Sequence, residues 1–192
     1  MYEVLPIFAA YLIGNISPAT LIARASGVDI RNEGSGNPGT TNMLRVMGKK
    51  AAVFTLFIDI LKGVIAVLIG KYFGGEPLAV ICGLAVFAGH VFPVIYKFKG
   101  GKGIATAFGV LLALNIQMAL LCLGIAAVAF VTARRVSVGS LLGAIALPVL
   151  TRFFMPDYIV VFAVMAIIVI IKHRGNIRRL LHGEEPKISF KK

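Results

Sequence analysis

Long apolar runs alternate with short polar punctuation along this chain. The first covers residues 4–23 and the second 51–73, where Gly74-Gly75-Glu76-Pro77 turns the chain back into a third at 78–96. The run at 104–132 is too long for one straight span and is interrupted by Asn115 and Gln117, which predicts a short fourth span followed by a fifth. A sixth, 140–154, ends at Met155-Pro156-Asp157, and a seventh fills 158–171. A helix needs roughly 20 apolar residues to cross a bilayer core about 30 Å thick. The pattern therefore predicts an all-α polytopic membrane bundle of about seven spans in a single domain, 1–192. The fourth, sixth and seventh runs are short, so five spans with re-entrant pieces is the alternative. Asn15, Ser17 and Pro18 interrupt the first span. Pro18 cannot donate to the Gly14 carbonyl, which predicts a bend lining a cavity.

Composition strengthens this reading. The chain is 58% hydrophobic and 15% charged, with mean hydropathy +0.91, whereas soluble domains carry about 25% charged residues. The formal net charge of +12 would suggest nucleic acid in a soluble protein. Its placement points elsewhere, and no nucleic-acid partner is expected. In the seven-span scheme every Lys and Arg except Lys71, Arg152 and the intramembrane Lys62 falls on one face, Lys191 and Lys192 included. Cytoplasmic loops carry that excess, so the C-terminus is expected in the cytoplasm and the N-terminus outside. A six-span scheme would move Arg134 and Arg135 to the outer face. Glu3 is the first charge and no basic residue precedes Arg24, which predicts a retained first span rather than a cleaved leader. Cys82 and Cys122 each sit in an apolar run, with no metal or disulfide spacing, and read as packed or lipid-facing thiols.

Three polar segments then share the expected cytoplasmic face. The first is NEGSGNPGTTNMLRVMGKK, residues 32–50. Its glycines let backbone N–H groups approach an anion. Ser35, Asn37, Thr40, Thr41 and Asn42 add neutral donors, and Arg45 adds a planar fork suited to phosphate. The second is FKGGKG, residues 98–103, which feeds an apolar helix. A glycine-rich turn at a helix N-terminus suits phosphate, with Lys99 and Lys102 supplying whole charges. The P-loop spacing is absent. The third is KHRGNIRRL, residues 172–180, where His173 and Asn176 share a face if the helix continues through Gly175. Each segment read alone also fits a plain polar turn or a basic membrane edge.

Within the spans, Asp59 and Lys62 stand i, i+3, and each needs a partner or a polar cavity in hydrocarbon. A structural ion pair is the favoured reading. His90 is read either as part of a polar site or as satisfying a buried backbone group. Ser137 and Ser140 follow Arg134-Arg135 and either cap the sixth helix, the favoured reading, or touch a ligand.

The order GSGNPGTTNMLR, GHVFPVIYKFKGGKGIAT and HRGNIRRL followed by Gly183-Glu184 resembles the bacterial acyl-phosphate-dependent glycerol-3-phosphate acyltransferases over essentially the whole chain. The resemblance implies an enzyme of the bacterial inner membrane with its active site facing the cytoplasm. It would transfer a fatty acyl group from acyl phosphate to the 1-position of glycerol 3-phosphate, giving lysophosphatidic acid and phosphate, without cofactor or metal. By motif match, Ser35, Arg45, Lys102, His173 and Asn176 would be catalytic. Gly100, Gly101 and Gly103 would bind substrate phosphate, with Ser137 beside them, and Glu184 would give structural support. The expected partners are acyl phosphate, glycerol 3-phosphate and membrane lipids. Direct transfer is expected, with the base either His173 or a substrate phosphate oxygen.

The rival from another class is a transporter or flippase for a phosphorylated small molecule, with Asp59 and Lys62 in an anion path. It lacks an inverted repeat, and its polar motifs crowd one face. A CDP-alcohol phosphotransferase would want clustered aspartates around divalent metal, whereas Asp29, Asp59 and Asp157 lie in separate segments.

Overall fold

The structure, a computed structural model, describes residues 3–187, and among them it is all-helical with no strand. Lys191 and Lys192, expected on the basic face, lie outside the described residues. The chain forms two compact units that meet in sequence at Leu114 and Asn115.

The first unit begins with α1 (Val4–Asn15) and α2 (Pro18–Ala25). The expected break of the first span is present. Ser17 caps α2, accepting from the Thr20 N–H at 3.3 Å, and Pro18 takes the first helical position, where its missing N–H costs nothing. A short α3 (Thr40–Val46) follows the polar loop.

Next comes α4 (Lys49–Val91), which leaves helical geometry at Gly74 and Gly75. A Cβ on Gly70 would press on the Ala79 backbone, and one on Gly83 would lie 3.5 Å from Val67. In a straight helix nine residues rise about 13 Å. The two arms of α4 therefore fold back on each other, as the Gly-Gly-Glu-Pro turn predicts. The second arm is crossed closely by α1: a Cβ on Gly14 would strike the Val86 carbonyl, and one on Gly89 the Tyr11 carbonyl. Ala10, Ala66, Val67, Ala79, Cys82, Val86 and Val110 form the apolar core of this crossing.

The 3-10 turn Val94–Tyr96 and the glycine loop then lead into α5 (Ile104–Leu114). Eleven residues span only about 16 Å, roughly half a bilayer core. Yet α5 starts against Phe87 and Val91 at the far end of the second arm. It ends where Lys71 donates to the Ala113 carbonyl at 2.5 Å, close to the turn of α4. The glycine loop is thus sunk below the level at which a full-length span would begin. Such irregular backbone is tolerated at depth only when protein covers it or it lines a wet cavity, and Gly101 and Gly103 are buried.

The second unit contains α6 (Ile116–Ala133), α7 (Val136–Phe154), α8 (Ile159–Lys172) and α9 (Arg174–Leu181). Asn115, expected to divide the long run, caps α6 by accepting from the Met118 N–H at 2.9 Å. The turn at Met155-Pro156-Asp157 separates α7 from α8. A 56° bend separates α8 from α9. By length and composition four helical stretches can cross a membrane, or five if the bent pair counts as one. Both cysteines are packed inside.

Candidate active site

In the first unit the polar loop is organised by Asn42, which is buried at the start of α3. Its amide donates to the Ile30 carbonyl at 3.2 Å and the Glu33 carbonyl at 2.9 Å, and its oxygen accepts from the Ser35 N–H at 2.9 Å. Asn42 was expected to offer a donor to ligand. Its amide instead satisfies the loop's own backbone, at the buried Ile30 carbonyl and at the partly buried Glu33 carbonyl and Ser35 N–H. Ile30 and Met43 anchor the loop in a second apolar cluster with Ala19, Ala23 and Ala52. Ser35 and Arg45 stay exposed on either side of this knot.

Arg31 joins this loop to the glycine loop. Its guanidinium donates to the Lys99 carbonyl at 3.2 Å and lies over the Tyr96 ring, 4.7 Å from the centroid. Arg24 reaches the same ring at 5.8 Å. Neither contact was expected from sequence, where Arg31 counted only as positive-inside charge. The first two polar segments are therefore neighbours in one unit.

The glycine loop is packed tightly. A Cβ on Gly100 would strike the His90 and Val91 carbonyls and Pro93, and one on Gly101 would meet the His90 ring. A Cβ on Gly103, at φ +83°, would meet Phe87. The Gly101 N–H donates to the His90 carbonyl at 3.1 Å. That corrects one expectation: the Gly101 N–H does not face a phosphate, and glycine is required there because the imidazole fills the space of a side chain. Lys97 and Phe98 precede it with φ of 52° and 62°. This left-handed pair is costly for non-glycine residues, and backbone bonds from Phe98 to Pro93 and from Lys99 to Tyr96 hold it. Lys102 is half-buried at the mouth of α5.

Asp59 and Lys62 form the expected ion pair, at 2.7 Å. Lys62 also donates to the Ile16 carbonyl at 2.8 Å and the Gly14 carbonyl at 3.3 Å, and lies 2.8 Å from His90 Nδ1. The carbonyl that Pro18 leaves without its helical partner thus meets a buried ammonium rather than an open cavity.

In the second unit His173 stands at the bend between α8 and α9 and is buried. Its Nδ1 lies 2.8 Å from the Val169 carbonyl, which can only accept. Nδ1 therefore carries the hydrogen, and Nε2 holds the lone pair in the neutral ring.

Glu185 is the centre of this unit's polar network. Its Oε1 accepts from Asn176 Nδ2 at 2.6 Å and Ser137 Oγ at 2.7 Å, and its Oε2 pairs with Arg179 Nε at 2.7 Å. Arg135 Nε donates to its carbonyl at 3.0 Å. Burial by itself would raise the Glu185 pKa. The hydrogen bonds from Asn176, Ser137 and Arg179, with the Arg179 charge, outweigh it and hold the carboxyl below its ordinary range.

Two expectations change here. The carboxylate that enters the polar network is Glu185, not the expected Glu184. Glu184 is exposed and contributes only its N–H, to the Arg179 carbonyl at 2.8 Å, because the turn at Gly183 points its side chain outward. Ser137 caps nothing: α7 begins after Arg135 with no side-chain cap. The Ser137 hydroxyl donates to Glu185 at 2.7 Å.

Comparison with known proteins identifies the family. Residues 4–183 match the family model described as glycerol-3-phosphate acyltransferase. A protein of that name from Thermoanaerobacter sp. (strain X514) is 46% identical, with the alignment covering 100% of this chain and 98% of the relative. One from Shewanella loihica is 39% identical over 97% of this chain and 93% of its own length. The crystal structure of PlsY, an integral membrane glycerol 3-phosphate acyltransferase in its glycerol 3-phosphate form, superposes with a TM-score of 0.93 at 37% identity, covering 97% of this chain and 96% of PlsY. The chain belongs to the glycerol-3-phosphate acyltransferase family and is an integral membrane acyltransferase.

Proposed function

We propose that the chain moves a fatty acyl group from acyl phosphate to the 1-hydroxyl of glycerol 3-phosphate in one direct step. The hydroxyl oxygen bonds to the acyl carbon, the bond from that carbon to the phosphate oxygen breaks, and lysophosphatidic acid and phosphate leave. Relatives are glycerol-3-phosphate acyltransferases, and PlsY has been solved in glycerol 3-phosphate and lysophosphatidic acid forms. An acyl phosphate is already activated, so neither a metal nor an acyl-enzyme is required.

The observation that carries this reading is the Arg31 clasp, which holds the loop bearing Ser35 and Arg45 against the loop bearing Lys102. Two phosphate-bearing reactants repel each other, and cations on adjoining rigid loops oppose that repulsion where charge gathers on the departing phosphate. Arg45 and Ser35 hold one phosphate. Lys102, with Gly100, Gly103 and the opening turn of α5, holds the other, while Gly101 fixes the loop to His90. The base is His173 Nε2 or a substrate phosphate oxygen, and Asn176, seated on Glu185, is assigned with His173 by motif match. Ser137 and Glu185 support Asn176.

The excess of basic residues in the loops supports a topology with the C-terminus and these segments on the cytoplasmic side of the bacterial inner membrane and the N-terminus outside. Counting the short α5 as the fourth span, between the second arm of α4 and α6, gives the seven that this topology needs. Thiol labelling of single cysteines introduced at Phe73 and Leu181 in sealed vesicles tests the topology, and labelling of both from the same side would reject it.

The activity test supplies palmitoyl phosphate or palmitoyl-CoA, side by side, with radiolabelled glycerol 3-phosphate to the detergent-purified protein. A chloroform-soluble product should form with palmitoyl phosphate alone and persist in EDTA. Product from palmitoyl-CoA alone, or loss in EDTA, would reject the proposed donor or mechanism.

A further inference from the structure

Asp59, Lys62 and His90 lie on neither polar loop, and the proposed chemistry does not use them. All three are buried. Charges at membrane depth are costly unless paired, and the two carbonyls freed at the break of the first span could have been satisfied by one neutral donor or a water. The cluster also faces a second way. His90 receives the Lys62 ammonium at Nδ1, while its own carbonyl accepts from the Gly101 N–H at 3.1 Å. The opposite edge of the same ring, Nε2 with its neighbouring carbons, fills the space where a Gly101 side chain would stand. Gly101 is bonded directly to Lys102. A rigid path thus runs from the Asp59–Lys62 pair through the imidazole to the residue beside the loop's cation.

We infer that Asp59, Lys62 and His90 are positioning residues that set the height and orientation of the Lys102 loop for substrate phosphate. The imidazole works as a wedge: Lys62 fixes its Nδ1 edge, and Asp59, paired with the same ammonium at 2.7 Å, fixes Lys62. Because Lys62 also holds the Gly14 and Ile16 carbonyls, the loop is referred to the break in the first span rather than to its own turn alone. This inference rests on the reading that the Lys102 loop binds a substrate phosphate.

Two experiments test it, both with acyl phosphate and glycerol 3-phosphate in detergent. Lys102→Ala first establishes which substrate's KM the loop controls. The Asp59→Asn/Lys62→Met double variant removes both charges together, so no lone charge is left buried. It should raise that same KM about tenfold and leave the other within about twofold. Folding is checked separately. The chain has no Trp and both Cys are buried, so a thiol-reactive dye reports melting. A folded double variant with unchanged kinetics, or with kcat and both KM values shifted alike, overturns the inference.

The second experiment is a cycle that does not depend on keeping the ion pair. Gly101→Ala should cost about tenfold in kcat/KM with His90 present and less than about threefold in the His90→Ala background, where the methyl has room. Equal penalties in both backgrounds refute the wedge. Failure of the wild-type protein to make lysophosphatidic acid would instead refute the activity itself, so the two failures are distinguishable.

Discussion

Replacing Glu185 with Gln, against a Glu184→Gln control, separates two adjacent carboxylates that are alike in sequence and opposite in structure. The new amide would keep an oxygen for Asn176 and Ser137, but it would turn its N–H₂ toward Arg179 Nε, setting donor against donor where a 2.7 Å pair stood. Hydrogen bonds to a charged group contribute about 1.5–3 kcal/mol. The Arg179 side chain is 37% exposed, so its share is discounted for screening. The bonds from Asn176 and Ser137, at 2.6 and 2.7 Å in a buried setting, survive in weaker neutral form. A net loss of about 1–3 kcal/mol follows, against less than about 0.5 kcal/mol for the exposed Glu184. Asn176 would lose a fixed seat, and kcat should fall at least about tenfold. Dye-monitored melting and the lysophosphatidic acid assay read the two effects. A larger loss from Glu184→Gln than from Glu185→Gln, in either assay, would refute the assignment. The pH dependence has a defined sign. The folded carboxyl titrates below its ordinary value of 4.5, so its contribution to stability is complete above that pH. It is lost as the pH falls from there through the folded value, and Glu185→Gln should flatten that part of the melting profile.

Three further outcomes are expected. If His173 is the obligatory base, His173→Gln should remove most of kcat at saturating substrate, at least about 100-fold; a rise in KM alone would leave the proton to a substrate phosphate. Asn42→Ala leaves the Ile30 and Glu33 carbonyls and the Ser35 N–H without their partner. It should destabilise the protein by about 2–4 kcal/mol, read as a lowered melting temperature. Tyr96→Phe keeps the ring under Arg31 and should be nearly silent, whereas Tyr96→Ala forfeits about 0.5–2 kcal/mol of cation–π attraction and should lower kcat/KM by about threefold or more.

Much of the helical plan was legible because bilayer physics writes it in plain signals. The breaks at Ser17-Pro18, Gly74-Gly75, Asn115 and Met155-Pro156-Asp157 each appear where residue chemistry forbids or caps a helix. The site was legible as motifs, but not as a network of partners. Glu184 and Glu185 cannot be ranked by pattern. Only the turn at Gly183, φ +75°, decides which one enters the protein. Gly101 read as an anion donor because glycine has two uses, open backbone and close packing, and sequence does not say which applies. The one available signal was His90, which follows Gly89 in the same α4 arm that the loop must meet.

Lys62 joins two needs that lie far apart along the chain. Two unmet needs were visible separately: a carbonyl freed by Pro18 and a charged pair in the second span without a polar neighbour. In water each would be solvated and neither would constrain the other. In hydrocarbon both are costly, and the packing of α4 against α1, closest at Gly14 and Gly89, brings them within one side chain's reach. Unsatisfied groups in a bilayer are therefore evidence about one another. A proline break and an intramembrane cation in neighbouring spans predict a contact, here between residues 48 apart. The same reasoning explains the sunken glycine loop. Backbone at that depth must be covered by protein, and the residue that covers Gly101 is the imidazole held by the same ammonium. Helix packing, solvation of the broken span and placement of Lys102 thereby rest on a single buried cluster, which is why disturbing it should alter substrate binding as well as stability.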